Sequence, residues 1–133
     1  MKTSKLILAS ASPRRREMLR MLGVEFTVLH GNVDESPLAG ESPEAYALRL
    51  SEAKARAVAA TRPGRWVLGA DTIVTIDGEL LGKPATRDEA RCMIRKLSGR
   101  AHTVITAFTL FNSERASPIR RAVSSQVLFK EIP

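Results

Sequence analysis

The sequence predicts an α/β fold, and three observations carry that expectation. Apolar β-type runs alternate with helical patterns, the pair Asp77-Gly78 sits between two β-rich runs, and two long β-type runs follow the last helical pattern. Asp-Gly in that setting is the strongest short signal for a two-residue hairpin. With 133 residues, 44% of them apolar, the chain suffices for one core and has no room for a second full domain.

Residues 5–9 read as a buried strand, followed by Ser10-Ala11-Ser12-Pro13, with Ser12 as helix N-cap and Pro13 at the first helical position. Met18, Leu19 and Leu22 mark one apolar helical face, and Gly23 supplies the stop. Strand, serine-rich turn, helix start and the run Arg14-Arg15-Arg16 compose an anion-binding device, because free backbone N–H groups, hydroxyls and guanidinium forks converge there. Phosphate is the natural guest. The plainer reading is a capped helix with a solvated basic turn, but cations at that end oppose the helix dipole, a mismatch a bound anion relieves.

Residues 25–29 read as a second strand, and residues 31–37 as a loop of turn formers that carries the adjacent carboxylates Asp34 and Glu35. Solvated loop acids are the commoner outcome for such a pair. Ser42-Pro43 opens a long helix with an apolar stripe through Leu48, Ser51, Ala55 and Val58. Lys54 lies four residues from both Leu50 and Val58, so its stem runs beside apolar side chains, as a snorkelling lysine also would. Residues 61–64 break the pattern.

The stretch from Gly69 to Pro84 organises the remainder. A strand beginning over residues 65–70 carries Asp71, turns at Asp77-Gly78 and returns to Gly82-Lys83-Pro84, where Pro84 ends ladder donation and leaves Lys83 free to reach a ligand. A fixed acid and a fixed amine joined by a hairpin suit a polyanionic substrate with a metal or an activated water. A surface ion pair is the competing reading. Thr86-Arg87-Asp88-Glu89 is a capping box, with Ala90, Met93, Ile94 and Leu97 on the face expected to be buried and Ser98-Gly99 as the end. Residues 103–111 and 119–129 read as a final strand pair around a loop over 112–118. Cys92 reads as a small packing residue and His102 as a strand-entry residue, neither with a chemical role.

A net charge of +7 and a pI near 10.3 favour polyanions, while the few aromatics argue against a stacking platform for single-stranded nucleic acid. One cysteine and two isolated histidines offer no internal disulfide and no zinc spacing, so any metal would be held by oxygen ligands. The apolar runs are too short for a signal peptide or a membrane span, and the expectation is a cytoplasmic protein without a membrane partner.

With these pieces in order, the sequence resembles the Maf family, septum-formation-inhibitor-like nucleoside triphosphate pyrophosphatases. The matching motifs are Leu8-Ala9-Ser10-Ala11-Ser12-Pro13-Arg14-Arg15, Val33-Asp34-Glu35, Glu52-Ala53-Lys54-Ala55, Gly69-Ala70-Asp71-Thr72, Gly82-Lys83-Pro84, and Leu97-Ser98-Gly99 with His102 and Thr106. The resemblance implies a mixed, twisted sheet with flanking helices in a Maf/ITPase-like two-lobed architecture, and hydrolysis of a nucleoside triphosphate between its α and β phosphates. It further implies Asp71 as general base, Glu35 as metal or water ligand, and Arg14, Arg15, Lys54 and Lys83 as the triphosphate cradle. Ser10 and Ser12 would donate to phosphate oxygens, and a magnesium or manganese ion would sit at Glu35 and Asp71.

Within the family, Arg14 and Thr72 match the branch preferring dTTP and UTP, whereas a branch acting on 7-methyl-GTP has glutamine where Thr72 stands. Modified pyrimidine nucleotides belong to the same expectation. The family pattern continues past the last strand with a Lys-Ala-Gly-type segment and a specificity glutamine that this sequence lacks. We therefore expect one Maf-like domain over residues 1–133 lacking part of its C-terminal lobe, with uncovered final strands that pair with a second copy as a homodimer. The alternative class is a catalytically weak or inactive fragment that binds nucleotide or nucleic acid.

Overall fold

The computed structural model describes residues 6–10, 12–77, 79–81, 86–115 and 117–128. Its elements run β1 (Leu6–Ala9), α1 (Pro13–Met21), β2 (Phe26–Val28), α2 (Pro43–Ala59), β3 (Val67–Ile76), β4 (Glu79–Leu81), α3 (Arg87–Leu97), β5 (Ala101–Phe111) and β6 (Ile119–Leu128). The α/β expectation holds, and so does the mixed sheet: the order is β2-β1-β3-β5-β6, with β4 added to β3. β1 runs parallel to β2 and β3, while β4, β5 and β6 are antiparallel additions.

Local chemistry sets the boundaries. The Ser12, Ser42 and Thr86 hydroxyls accept from Arg15, Ala45 and Glu89 backbone N–H groups and start the three helices, and Glu89 completes the capping box. The hairpin forms as its sequence predicts: Ile76 pairs with Glu79, and Asp77 takes a left-handed φ of 52°. β5 begins at Ala101, earlier than the pattern suggests, because Leu128 and Val127 of β6 extend the ladder to Ala101 and His102.

The core lies under α2. Ala55, Val58 and Ala59 pack with Ile7, Val67 and Phe111, and Ala47 packs with Ile73, Ile105 and Ala107. Gly69 permits this approach: a Cβ there would lie 2.2 Å from the Ser51 carbonyl oxygen and 2.8 Å from the Ala55 nitrogen. One buried polar pair bridges the same interface. Ser51 Oγ donates to the Leu48 carbonyl, so Thr109, 2.7 Å away, donates to Ser51.

Three packing expectations need correction. α1 buries no residue, and Met18 and Leu22 of its apolar face are 50% and 70% exposed. In α3 only Leu97 is buried. Cys92 is exposed rather than packed, since five residues of helix turn it about 140° away from Leu97. On β6, Ile119 and Val123 remain exposed. No helix among the described residues is long and apolar enough to cross a membrane.

Candidate active site

The strand order marks a candidate crevice beside β1. The connections β1-α1-β2 and β2-α2-β3 leave and return on opposite sides of β1, and right-handed crossovers therefore place α1 and α2 on opposite faces of the sheet. Such a reversal point, at the carboxyl end of parallel strands, is where ligands enter open α/β sheets. β3 extends past it. Its ladder to β1 ends at Gly69 and its ladder to β4 starts at Val74, both on the edge opposite β5, which leaves residues 70–73 without a strand partner there among the described residues.

Asp71 and Thr72 occupy that gap, and alternation along the strand aims them at opposite faces. On the α2 side, Lys54 Nζ lies 2.8 Å from Asp71 Oδ1, and both side chains are largely buried, at 22% and 11% exposure. On the other side, the Arg15 fork donates to Ser10 Oγ at 3.1 Å and Thr72 Oγ1 at 2.5 Å, and Thr72 meets Thr106 at 3.2 Å. Ser10 Oγ also accepts the Ser12 N–H, and Ser12 caps α1.

Burial pulls the Arg15 guanidinium below its ordinary pKa, with the Asp71 carboxylate opposing the shift. Among the described residues Arg15 bonds hydroxyls and forms no ion pair, so a half-buried cation stands at the start of α1 with unspent attraction for an anion.

The structure thus brings together Ser10, Ser12, Arg15, Lys54, Asp71 and Thr72. Arg14, by contrast, is exposed and without a hydrogen bond or ion pair among the described residues. Lys83, with Gly82 and Pro84, lies outside the described residues. Glu35 sits exposed on the loop after β2, where its carbonyl accepts from Tyr46 Oη at 2.5 Å. Burial first, then the Asp71 and Glu35 carboxylates, raise the Tyr46 phenol above its ordinary pKa. No group of three or more His, Cys, Asp or Glu side chains gathers around a common point among the described residues. An open groove between α2 and β6, lined by Glu44, Leu48, Ile119 and Arg120, is separate from this crevice.

Sequence reading missed Tyr46 and Arg49. The available signal was their spacing, three residues apart on one helical face directly after an acidic loop.

Comparison with known proteins identifies the family. The family model described as Maf-like protein matches residues 5–133. A dTTP/UTP pyrophosphatase of Geobacter sp. (strain M21) is 47% identical over 99% of this chain and 68% of its own length. One of Syntrophus aciditrophicus (strain SB) is 50% identical over 100% of this chain and 65% of its own. The chain thus spans about two thirds of the length of the curated relatives it matches. In fold it is similar to the Staphylococcus aureus Ham1 protein, with a TM-score of 0.54 and 16% identity over 93% of this chain and 72% of that one. The chain belongs to the Maf-like protein family.

Proposed function

We propose that this chain hydrolyses nucleoside triphosphates between the α and β phosphates, releasing a monophosphate and pyrophosphate, with dTTP and UTP as preferred substrates. The single observation that carries the reading is the pairing of Asp71 with Lys54 in a strand gap whose other face holds the Arg15, Ser10 and Thr72 cluster. The names of the relatives support the choice of pyrimidine triphosphates.

In this reading Arg15, the Ser10 and Ser12 hydroxyls and the Arg14 N–H, which the cap of α1 leaves unused among the described residues, hold the phosphate chain. Arg14 and Lys83 complete the cradle once nucleotide is bound. Lys54 fixes one oxygen of Asp71, and the other takes a proton from a water whose oxygen bonds to the α phosphorus. The bond from that phosphorus to the bridging oxygen breaks, and pyrophosphate leaves with the electron pair. Thr72, with Thr106 behind it, contacts the nucleoside end.

The donor chemistry suits magnesium or manganese. Such ions are held by one or two carboxylates, with phosphate oxygens and waters filling the remaining positions, and Asp71 and Glu35 are two carboxylates on separate segments. When bound, the ion would neutralise charge growing on the leaving pyrophosphate.

The test is pyrophosphate release from a panel of nucleoside triphosphates, with magnesium, with manganese and with a chelator. Turnover of dTTP or UTP that falls by two to four orders of magnitude, roughly the range for loss of a general base, in Asp71→Asn supports the reading. Normal turnover by Asp71→Asn, or none by the unaltered chain on any nucleotide, overturns it.

A further inference from the structure

The loop between β2 and α2 has no secondary structure of its own, yet side chains on the first two turns of α2 grip it at several points. Tyr46 Oη donates to the Glu35 carbonyl at 2.5 Å, and Arg49 Nη2 donates to the Ser36 carbonyl at 3.0 Å. The Arg49 fork also holds both Glu41 carboxylate oxygens, at 2.7 and 3.0 Å. Glu41 in turn accepts the Leu38 N–H at 3.1 Å. The Arg49 guanidinium lies 5.5 Å from the centre of the Tyr46 ring, so the two gripping residues brace each other.

What the grip stands on gives it meaning. The Tyr46 ring packs on the cluster of Ala47, Ile73, Ile105 and Ala107, and Ile73 shares its face of β3 with Asp71, two residues earlier. The same helix reaches Asp71 itself through Lys54, eight residues and about 12 Å further along its axis. One rigid rod therefore contacts the strand acid with its lysine and the loop acid's main chain with its tyrosine.

We propose that Tyr46 and Arg49 are positioning residues that hold the Glu35 segment at a fixed offset from Asp71, so that α2 sets the spacing of the two acids. The role given to Glu35 rests on the pyrophosphatase reading; the grip itself does not. The Tyr46 hydrogen bond is solvent-exposed, so water can satisfy the Glu35 carbonyl when the hydroxyl is removed, and the loss falls on the position of the loop rather than on the fold.

The test compares Tyr46→Phe and Arg49→Lys with the unaltered chain by three readouts. Amide hydrogen exchange over residues 33–38, in metal-free protein, should quicken about tenfold while β3 amides stay unchanged. Manganese affinity, followed by electron paramagnetic resonance in the presence of nucleotide, should weaken about tenfold or more, the range found for groups that orient metal ligands. In turnover, kcat should fall with little change in KM, and the melting temperature should stay within about 5 °C. Unchanged exchange over residues 33–38 overturns the proposal, as does faster exchange with unaltered manganese affinity. If the unaltered chain releases no pyrophosphate, the pyrophosphatase reading falls, and the exchange and manganese readouts still decide the grip.

Discussion

Lys54 Nζ and Asp71 Oδ1, 2.8 Å apart, join α2 to the strand gap over residues 70–73. The contact does two separable jobs: it compensates a largely buried carboxylate, and it fixes that carboxylate's orientation.

Separating the two gives the first prediction. Lys54→Met leaves Asp71 uncompensated and should cost about 1–3 kcal/mol, less than for a fully buried pair because Lys54 keeps 22% exposure. The double variant Lys54→Met, Asp71→Leu should recover most of that stability in urea unfolding while releasing no pyrophosphate. A double variant no more stable than the single one would show that the pair matters less than the packing around it.

Gly69 carries a second prediction with no chemistry of its own. In Gly69→Ala the new methyl meets the Ser51 carbonyl at 2.2 Å, which neither backbone can avoid without α2 moving off β3. We expect a loss of about 2–3 kcal/mol, in the overpacking range, together with most of the activity, because Lys54 moves with the helix. Thermal melts and turnover on the same preparation check it, and a stable, active Gly69→Ala chain would refute the close-packing argument.

The loop after β2 should respond to acid. Bonding to Arg49 holds the Glu41 carboxyl below its ordinary pKa, and the Ser36 backbone N–H does the same for Asp34. Both groups bind protons more weakly in the folded loop, so their contribution is present above the ordinary carboxyl range and is lost as pH falls through the depressed folded values. Carboxyl-carbon NMR titration should give midpoints below those of a peptide spanning residues 33–41. Arg49→Lys should return Glu41 toward the peptide value and move Asp34 much less, since the main cause at Asp34 is local.

Arg15→Lys keeps the charge and removes the fork that spans Ser10 and Thr72. Losing one charge-assisted hydrogen bond should raise KM for a triphosphate about tenfold or more, with a smaller change in inhibition by the monophosphate. Equal changes in both would move Arg15 from the phosphate chain to the nucleoside end.

The parts of the fold governed by adjacent residues were readable in the sequence. Asp77 turns β3 back onto β4, and Ser12, Ser42 and Thr86 announce the helices they cap, because a cap needs only the next three residues. Periodicity also placed Lys54 beside the buried stripe of α2. It could not deliver the ammonium to Asp71, since that meeting depends on how closely two distant segments approach at Gly69. The apolar faces of α1 and α3 mark a further limit, because Met18 and Ile94 fit a buried pattern but are exposed, and a pattern does not name what covers it. Tyr46 and Arg49 escaped notice for the opposite reason. The loop atoms they hold at Glu35 and Ser36 are main-chain carbonyls, which no sequence pattern distinguishes.

Consecutive residues of β3 look onto opposite faces through one short opening in the sheet edge, which bears on how the site could be inhibited. A compound lying flat on either face meets only half the groups, the Lys54 and Asp71 pair or the Arg15 and Thr72 cluster. Two weak fragments, one for each face, could be joined by a tether threaded over residues 70–73. Since the second fragment would then bind at an effective concentration in the millimolar range, affinity would come from the tether's length rather than from new contacts.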